Sequence, residues 1–305
     1  MKKTDLRIKI GSLEMKNPVT VASGTFGYGP EYADLVDLNR LGAITVKGIC
    51  CEPHIGNATP RTFETASGML NAIGLPGPGA QGFIEKYIPF LKRFDVPVIV
   101  NIWGKTAEDY GRVAETMDAE EGVHALEVNV SCPNVKEGGA LYGTDCDLFR
   151  TVVDQVRAKT VKPLIVKLAP NVSDIRVFAR AAEECGADAV SVMNSYPAMA
   201  INIETLRPQL ANRTGGLSGP AIKPIAVKLV WEAAQAVQIP IIGMGGISSP
   251  EDALEFIIAG ATAVAVGTAN FSDPSTVIRV IEGMERWMSI RGFDSVEQLR
   301  GTVLT

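Results

Sequence analysis

Histidine is scarce in this chain: 305 residues contain only two, His54 and His124. Both are too far from any motif for a Ser–His pair or a metal site to be built on them. The five cysteines are odd in number and include no C-x-x-C spacing. That argues against a structural zinc or an iron–sulfur cluster in this chain and for free thiols in a reducing cytoplasm. The vicinal pair Cys50–Cys51 reads as incidental. Basic residues do not exceed acidic ones; the net charge is −5. A nucleic-acid surface therefore has no electrostatic support. No apolar run approaches a membrane span, and Met1 to Leu13 carries charges throughout without a signal-peptide core. The expected location is the cytoplasm, with no membrane partner. One G-x-G-x-x-G occurs, Gly77 to Gly82. No strand pattern precedes it and Pro78 lies inside the turn, so it is not a dinucleotide fingerprint.

What is present is a large apolar fraction, 46%, enough for one large α/β barrel or two ordinary domains. Eight short apolar runs recur: Val19–Ala22, Ala43–Val46, Val96–Val100, Ala125–Val130, Leu164–Leu168, Ala189–Met193, Pro240–Met244 and Ala263–Val266. They are continuous rather than alternating, as strands buried on both faces are. Amphipathic segments lie between them. In Ala221–Val237 the residues Ile222, Ile225, Ala226, Leu229, Val230, Ala233 and Val237 trace one helical face. Ser249-Pro250-Glu251-Asp252 is a helix start with a cap, a first-turn proline and acidic residues. Eight βα units without a linker predict one domain, residues 1–305, folded as a (β/α)8 barrel. The alternative is an open doubly wound sheet. Before the first run, Leu6, Ile8 and Ile10 alternate with polar residues, Gly11-Ser12 turns, and Leu13 and Met15 resume; this hairpin is suited to covering a barrel end. Long connections at Ile49–Gly82 and Ser195–Gly219 follow the second and sixth runs, on the face where barrels keep active sites.

The residues that end the runs are polar or glycine. Asn129-Val130-Ser131-Cys132-Pro133-Asn134 is the centre of the pattern. Pro133 stops the strand, and the tip then presents two amides, a hydroxyl and a thiol. Val135–Thr144 has the length of a lid. A lone cysteine at a strand end is ordinarily structural; flanking asparagines shift the reading, because buried amides need partners that a polar ring supplies. Lys47 and Lys167 occupy inward or terminal positions, and a buried lysine needs a counter-charge or a shifted pKa. Either they form an ion pair at the barrel mouth or they stabilise negative charge on a bound group. Gly245-Gly246 and Gly267-Thr268 follow the seventh and eighth runs, where barrels bind phosphate on backbone N–H groups. Each pair alone is equally a turn; both together favour phosphate.

These motifs resemble the dihydroorotate dehydrogenase family over essentially the whole chain. The similarity is carried by NVSCPN at Asn129–Asn134, SGMLNAIGLPGPG at Ser67–Gly79, GNATPR at Gly56–Arg61, and by IGMGGI and VGT near the C-terminus. MLNAIGLPGPG looks like the B type, whose catalytic subunit works with a separate electron-transfer subunit, and the cysteine of SCPN marks class 1. The resemblance implies FMN across the barrel mouth. Its phosphate would meet Gly219, Gly245, Gly246, Gly267 and Thr268. Ser23, Lys47, Gly48, Asn101, Asn129, Lys167 and Met193 would line its ring and ribityl chain. Substrate would be held by Lys47, by the loop Asn71, Ala72, Ile73, Gly74 and Leu75, and by Asn129, Asn134, Asn194 and Ser195. Cys132 would be the catalytic base, with Lys47 beside it. Ser195 stands where the family often has threonine, and Met193 where a branched aliphatic is usual. No metal is implied in this chain. The implied partner carries FAD and a 2Fe-2S cluster, in a heterotetramer of two plus two, and passes electrons to NAD.

The implied chemistry suits the residue types. Oxidation of (S)-dihydroorotate to orotate, a step in de novo pyrimidine (UMP) biosynthesis, removes a proton from C5 and a hydride from C6. A thiol has a pKa close enough to working pH to be tuned as the base. Asparagines can donate to and accept from an imide edge at once, and FMN N5 would take the hydride. Two other readings remain: another FMN barrel oxidoreductase acting on pyrimidines, or a non-redox phosphate-barrel lyase or isomerase using Lys47 or Lys167 as a Schiff base.

Overall fold

The computed structural model describes residues 4–130 and 142–304. Cys132, Asn134 and most of the expected lid therefore lie outside the described residues. Eight barrel strands follow the apolar runs: β1 Val19–Val21, β2 Ile44–Ile49, β3 Val98–Ile102, β4 Ala125–Asn129, β5 Leu164–Lys167, β6 Ala189–Val192, β7 Ile241–Met244 and β8 Ala263–Val266. They pair in parallel in the order β1–β8–β7–β6–β5–β4–β3–β2. The seam between β1 and β2 closes through a side chain. Thr20 Oγ1 donates to the Ala43 carbonyl at 2.9 Å and lies 3.1 Å from Thr45 Oγ1. Gly42 N–H donates to the Val19 carbonyl alongside at 2.9 Å. Gly42 has to lack a side chain, because a Cβ there would stand 2.1 Å from the Asn17 carbonyl oxygen. The result is the TIM-barrel-like arrangement that the run of eight predicts.

Alternation inside each strand sorts the core into two. On β4, Leu126 and Val128 join the outer core against the helices, whereas Ala125 joins the inner one. The inner core also holds Ala43, Ile99, Ile165, Ala189, Ile242 and Ala263. Four alanines at one level leave space at the bottom of the barrel. The N-terminal hairpin fills it: Ile8–Ile10 pairs with Leu13–Met15, and Ile10, Leu13 and Met15 pack onto the inner residues. The hairpin turns on Gly11, whose φ of +55° a larger residue adopts only with strain.

Three elements differ from the sequence expectation. No α-helix follows β1; only the 3-10 turn Leu38–Arg40 separates it from β2. Gly24, Gly27 and Gly29 all take positive φ in that connection, which keeps the stretch before Pro30 out of a helix, and only a single turn closes after it, Val36 N–H donating to the Tyr32 carbonyl at 2.9 Å. The helix after β6 covers Lys223–Ala234, and Ile225, assigned to its buried face, is 40% exposed. The two long connections are not simple loops. Thr62–Thr65 and Gly68–Asn71 form a hairpin, and Gly68–Asn71 pairs with Gly215–Ser218, which pairs with Tyr196–Ala198. This four-stranded antiparallel sheet stands over the mouth of the barrel. The expected cap at Ser249 is present as a full capping box with Asp252, opening the helix Pro250–Ala259. No helix among the described residues is long and apolar enough to cross a membrane.

Ile10 is wholly buried in the barrel floor, so Ile10→Ala should cost about 2–4 kcal/mol of unfolding free energy through lost burial and a retained cavity. Val161 is 90% exposed, and Val161→Ala should change stability by less than about 0.5 kcal/mol. Urea titrations followed by circular dichroism measure both. Equal effects from the two substitutions would contradict the plug assignment.

Candidate active site

Barrel geometry carries every strand end to one mouth, and a cavity of about 560 Å³ opens there. Its floor is built by the last inward-facing residues of the strands. On β2 the pairing with β3 slips by one residue between Val46 and Ile49, a bulge that straddles Lys47 and Gly48. Lys47 is half-buried, and its backbone N–H donates to the Gly27 carbonyl at 3.0 Å. Burial pulls the Lys47 pKa below the ordinary lysine value; the nearby Arg61 cation adds to this and Glu31 opposes it. Gly48 leaves room for its neighbours: a Cβ would come within 3.0 Å of Asn101 Oδ1 and 3.1 Å of Trp103.

Lys167 ends β5, is 5% exposed, and donates from Nζ to Ser23 Oγ at 3.3 Å. Asn129 ends β4. Its Oδ1 accepts from Asn194 Nδ2 at 3.2 Å, its Nδ2 donates to Asn101 Oδ1 at 3.5 Å, and its carbonyl accepts from the Tyr110 hydroxyl at 2.8 Å. Asn194 Oδ1 accepts from the Ser195 backbone N–H at 2.8 Å. Lys167, Ser23, Asn129, Asn101, Asn194 and Ser195 line the one cavity, together with Met193.

Opposite the lysines lies a cradle of backbone. Gly219, Gly245 and Gly246 all have positive φ. A Cβ on Gly246 would lie 2.9 Å from the Gly219 carbonyl and 2.8 Å from Lys223 Cβ, so these segments can approach only as glycine. Gly267 and Thr268 complete the cradle, with Thr268 Oγ1 donating to Ser218 Oγ at 2.8 Å. The helix Lys223–Ala234 starts just beyond Gly219 after the 3-10 turn Pro220–Ile222. Backbone N–H groups at such a start suit a phosphate. Lys223 itself is committed elsewhere, donating to Asp252 at 2.7 Å and Glu255 at 2.8 Å.

The accessory sheet supplies the wall. Asn71, Ile73, Gly74 and Leu75 face the cavity. Ala72 does not: it is buried with Leu70 and Leu210 beneath the sheet. The wall is pinned from behind by Asn57, whose Nδ2 donates to the Ala72 carbonyl at 3.0 Å and whose N–H donates to the Ile73 carbonyl. Gly74 permits this contact, since a Cβ would stand 2.5 Å from Asn57 Cγ. Leu75 holds φ at +53°, unusual for a branched residue. Cys132 and Asn134 belong to the segment outside the described residues.

Two charged groups escaped the sequence reading. Arg61 lines the cavity beside Thr62; its only signal was a place at the end of GNATPR. Glu127 lies on the inner face of β4, 2% exposed, and accepts from Asn101 Nδ2 at 2.6 Å and Ser191 Oγ at 2.8 Å. A carboxylate inside an otherwise apolar run was its signal. The remaining candidates are structural. His124 Nδ1 accepts from the Val98 N–H at 3.1 Å, and burial lowers its pKa. Burial pushes the Cys50 thiol up to about 11, which makes it a poor nucleophile. Gly79 opens the helix Gly79–Lys86 and Gly77 bridges to His54, so the G-x-G-x-x-G segment is a helix entry without a barrel strand before it. Among the described residues no cluster of histidine, cysteine, aspartate and glutamate has the grouping to hold a metal ion.

The cavity fits a flavin mononucleotide in kind. It lies in the ordinary size range for cofactor sites. It joins a backbone cradle for an anion to a floor with two lysines and three asparagines.

Comparison with known proteins gives the chain's family. The family profile described as dihydroorotate dehydrogenase matches residues 5–288. A protein of Geotalea uraniireducens named dihydroorotate dehydrogenase B (NAD(+)), catalytic subunit, is 52% identical over the whole length of both chains. Proteins of the same name from Desulforamulus reducens (54% identical, 98% of each chain) and Thermoanaerobacter pseudethanolicus (52% identical, 98% of this chain and 99% of the other) align as fully. A profile match across nearly the whole chain, and majority identity end to end, place this chain in the dihydroorotate dehydrogenase family.

Proposed function

We propose that the chain is the catalytic subunit of an NAD-linked dihydroorotate dehydrogenase. It would be one FMN-binding barrel domain that converts (S)-dihydroorotate to orotate for pyrimidine synthesis. The observation that supports this most directly is the single cavity joining a glycine cradle, two lysines and an asparagine chain. When bound, FMN supplies the acceptor for the hydride that leaves C6. Gly219, Gly245, Gly246, Gly267 and Thr268 would hold its phosphate; Ser23, Lys47, Gly48, Asn101, Asn129, Lys167 and Met193 would hold the remainder.

The chain's own residues do the rest. Asn129 and Asn194 each carry a donor and an acceptor and bind the pyrimidine's amide groups. Asn71, Ile73, Gly74 and Leu75 form the wall against which the substrate carboxylate rests, and Ser195 and Asn134 join the set. Lys47 supplies positive charge that has already been partly stripped of water, so its attraction to a carboxylate is stronger than at a surface. Lys167, buried against Ser23, fixes a second positive charge. Cys132 takes the C5 proton. A lyase or isomerase using a lysine Schiff base would not need the asparagine chain.

Denaturing the purified protein should release FMN at close to one per chain, and anaerobic dihydroorotate should bleach the bound yellow colour. Colourless protein, or release of FAD, would contradict the cofactor and revive the lyase reading.

Cys132→Ser should retain FMN and orotate but slow flavin reduction by a factor of about 100 or more at neutral pH. A hydroxyl's pKa is far above that of a thiol, so almost none of it is ionised to accept a proton at neutral pH, and the rate should recover in part as pH rises. Stopped-flow absorbance measures this; a serine variant as fast as the parent would leave Cys132 without a proton-transfer role.

Electrons must leave the site for turnover. This chain offers no dinucleotide-binding motif and no cysteine spacing for a cluster. A partner carrying FAD and a 2Fe-2S cluster would therefore complete the path to NAD, in a two-plus-two heterotetramer. The isolated chain should reduce artificial dyes with dihydroorotate and leave NAD untouched. Vigorous NADH formation by the chain alone would exclude the two-subunit reading.

A further inference from the structure

We propose that Glu127 is a positioning residue: as a buried acceptor it fixes which end of each cavity asparagine faces the ligand. The inference concerns this chain's own hydrogen bonds. Its ligand-binding test rests on the reading that the site binds orotate.

The amide of asparagine is nearly symmetric in shape, so packing alone does not choose between its oxygen and its nitrogen. Something of single polarity has to. Glu127 is such a group, because a carboxylate only accepts. It turns Asn101 so that Nδ2 donates down to it at 2.6 Å. Asn101 Oδ1 then faces the mouth and accepts from Asn129 Nδ2 at 3.5 Å. Asn129 Oδ1 accepts in turn from Asn194 Nδ2 at 3.2 Å, and Asn194 Oδ1 accepts from the Ser195 backbone N–H at 2.8 Å. The relay therefore ends in a group that only donates at one side and a group that only accepts at the other. Three amides between such ends have one consistent orientation.

The second oxygen of Glu127 accepts from Ser191 Oγ at 2.8 Å, which keeps the carboxylate from rotating. A carboxylate 2% exposed is costly to bury even when hydrogen-bonded. An aliphatic side chain would fill a barrel-interior position without that cost. What the carboxylate adds is polarity. Asn129 is left with one N–H and one lone pair in fixed places for a planar ligand edge. A reversed relay would set acceptor against acceptor at Glu127 and donor against donor at the Ser195 N–H.

Glu127→Gln keeps the shape but lets that terminus donate as well as accept, so the relay loses its fixed polarity at the Asn101 end and is held in direction only by the Ser195 N–H. The variant should keep its melting temperature within a few degrees and its FMN content, yet bind orotate at least about fivefold more weakly. Asn194→Ala, added to Glu127→Gln, should then cost at least about fivefold less orotate affinity than it costs in the parent. Glu127 and Asn194 share no direct hydrogen bond, so a purely structural glutamate gives additive losses. Unchanged orotate affinity in Glu127→Gln, or strict additivity, would overturn the proposal. If the variant does not fold, neutron diffraction of the deuterated parent protein decides it. Deuterons on Asn101 directed at Glu127 support the relay, and deuterons directed at Asn129 refute it. Failure of the parent to bind orotate would instead count against the functional reading, leaving the neutron result to judge the relay.

Discussion

Closure of eight parallel strands is the constraint from which the site follows. A closed barrel of this size has an interior only as wide as its own side chains, so every inward position is a packing decision. Parallel pairing also sends all strand ends to one rim. The inward residues of this chain therefore change character with height. Near the floor they are alanine and isoleucine; near the rim they are Lys47, Asn101, Glu127, Asn129, Lys167 and Ser191. The apolar floor excludes water from below. Polar groups above it can then be satisfied only by one another or by a ligand entering through the mouth.

Both ends of the barrel depend on parts outside the eight strands. The alanine level at the bottom would be a void without the hairpin that inserts Ile10, Leu13 and Met15. The mouth would be shallow without the four-stranded sheet assembled from the connections after β2 and β6. Pairing Gly68–Asn71 with Gly215–Ser218 ties the wall that carries Asn71 to the segment that leads into Gly219. Substrate wall and phosphate cradle are thus braced by one ladder. Neither connection can shift without the other, and a site built this way is held to the rigid body of the fold.

The barrel was legible because burial on both faces leaves a strong trace: continuous apolar runs separated by amphipathic stretches. The strand-end polarity was legible for the same reason, since each polar residue interrupts a run. The accessory sheet was not. Thr62–Thr65 and Tyr196–Ala198 are short and partly exposed, and the pairing that joins the two connections, Gly68–Asn71 with Gly215–Ser218, links segments far apart in sequence, so neither periodicity nor neighbours announce the sheet. Ala72 was read as wall because its neighbours are, while strand alternation points it away from them. The absent first helix was visible in principle, in Gly24, Gly27, Gly29 and Pro30. Glu127 was passed over because a single charge in an apolar run looks like noise until its two donors are seen.

Charge completes the account. The chain as a whole is acidic, at −5, yet the cavity at the barrel mouth is lined by Lys47, Arg61 and Lys167. The acidic group nearest in the barrel, Glu127, spends both oxygens on Asn101 and Ser191. The site therefore holds an excess of positive charge in a place poor in water, and desolvation is already working against Lys47, whose pKa it lowers. Such an arrangement weakens the empty protein. Binding a carboxylate or a phosphate there relieves repulsion between Lys47 and Arg61. Anionic ligands should be bound more tightly than neutral ones of equal shape, because only they recover that stored cost. The chain as a whole, at −5, has the opposite preference, so the mouth where its strands end is a local exception to its overall charge.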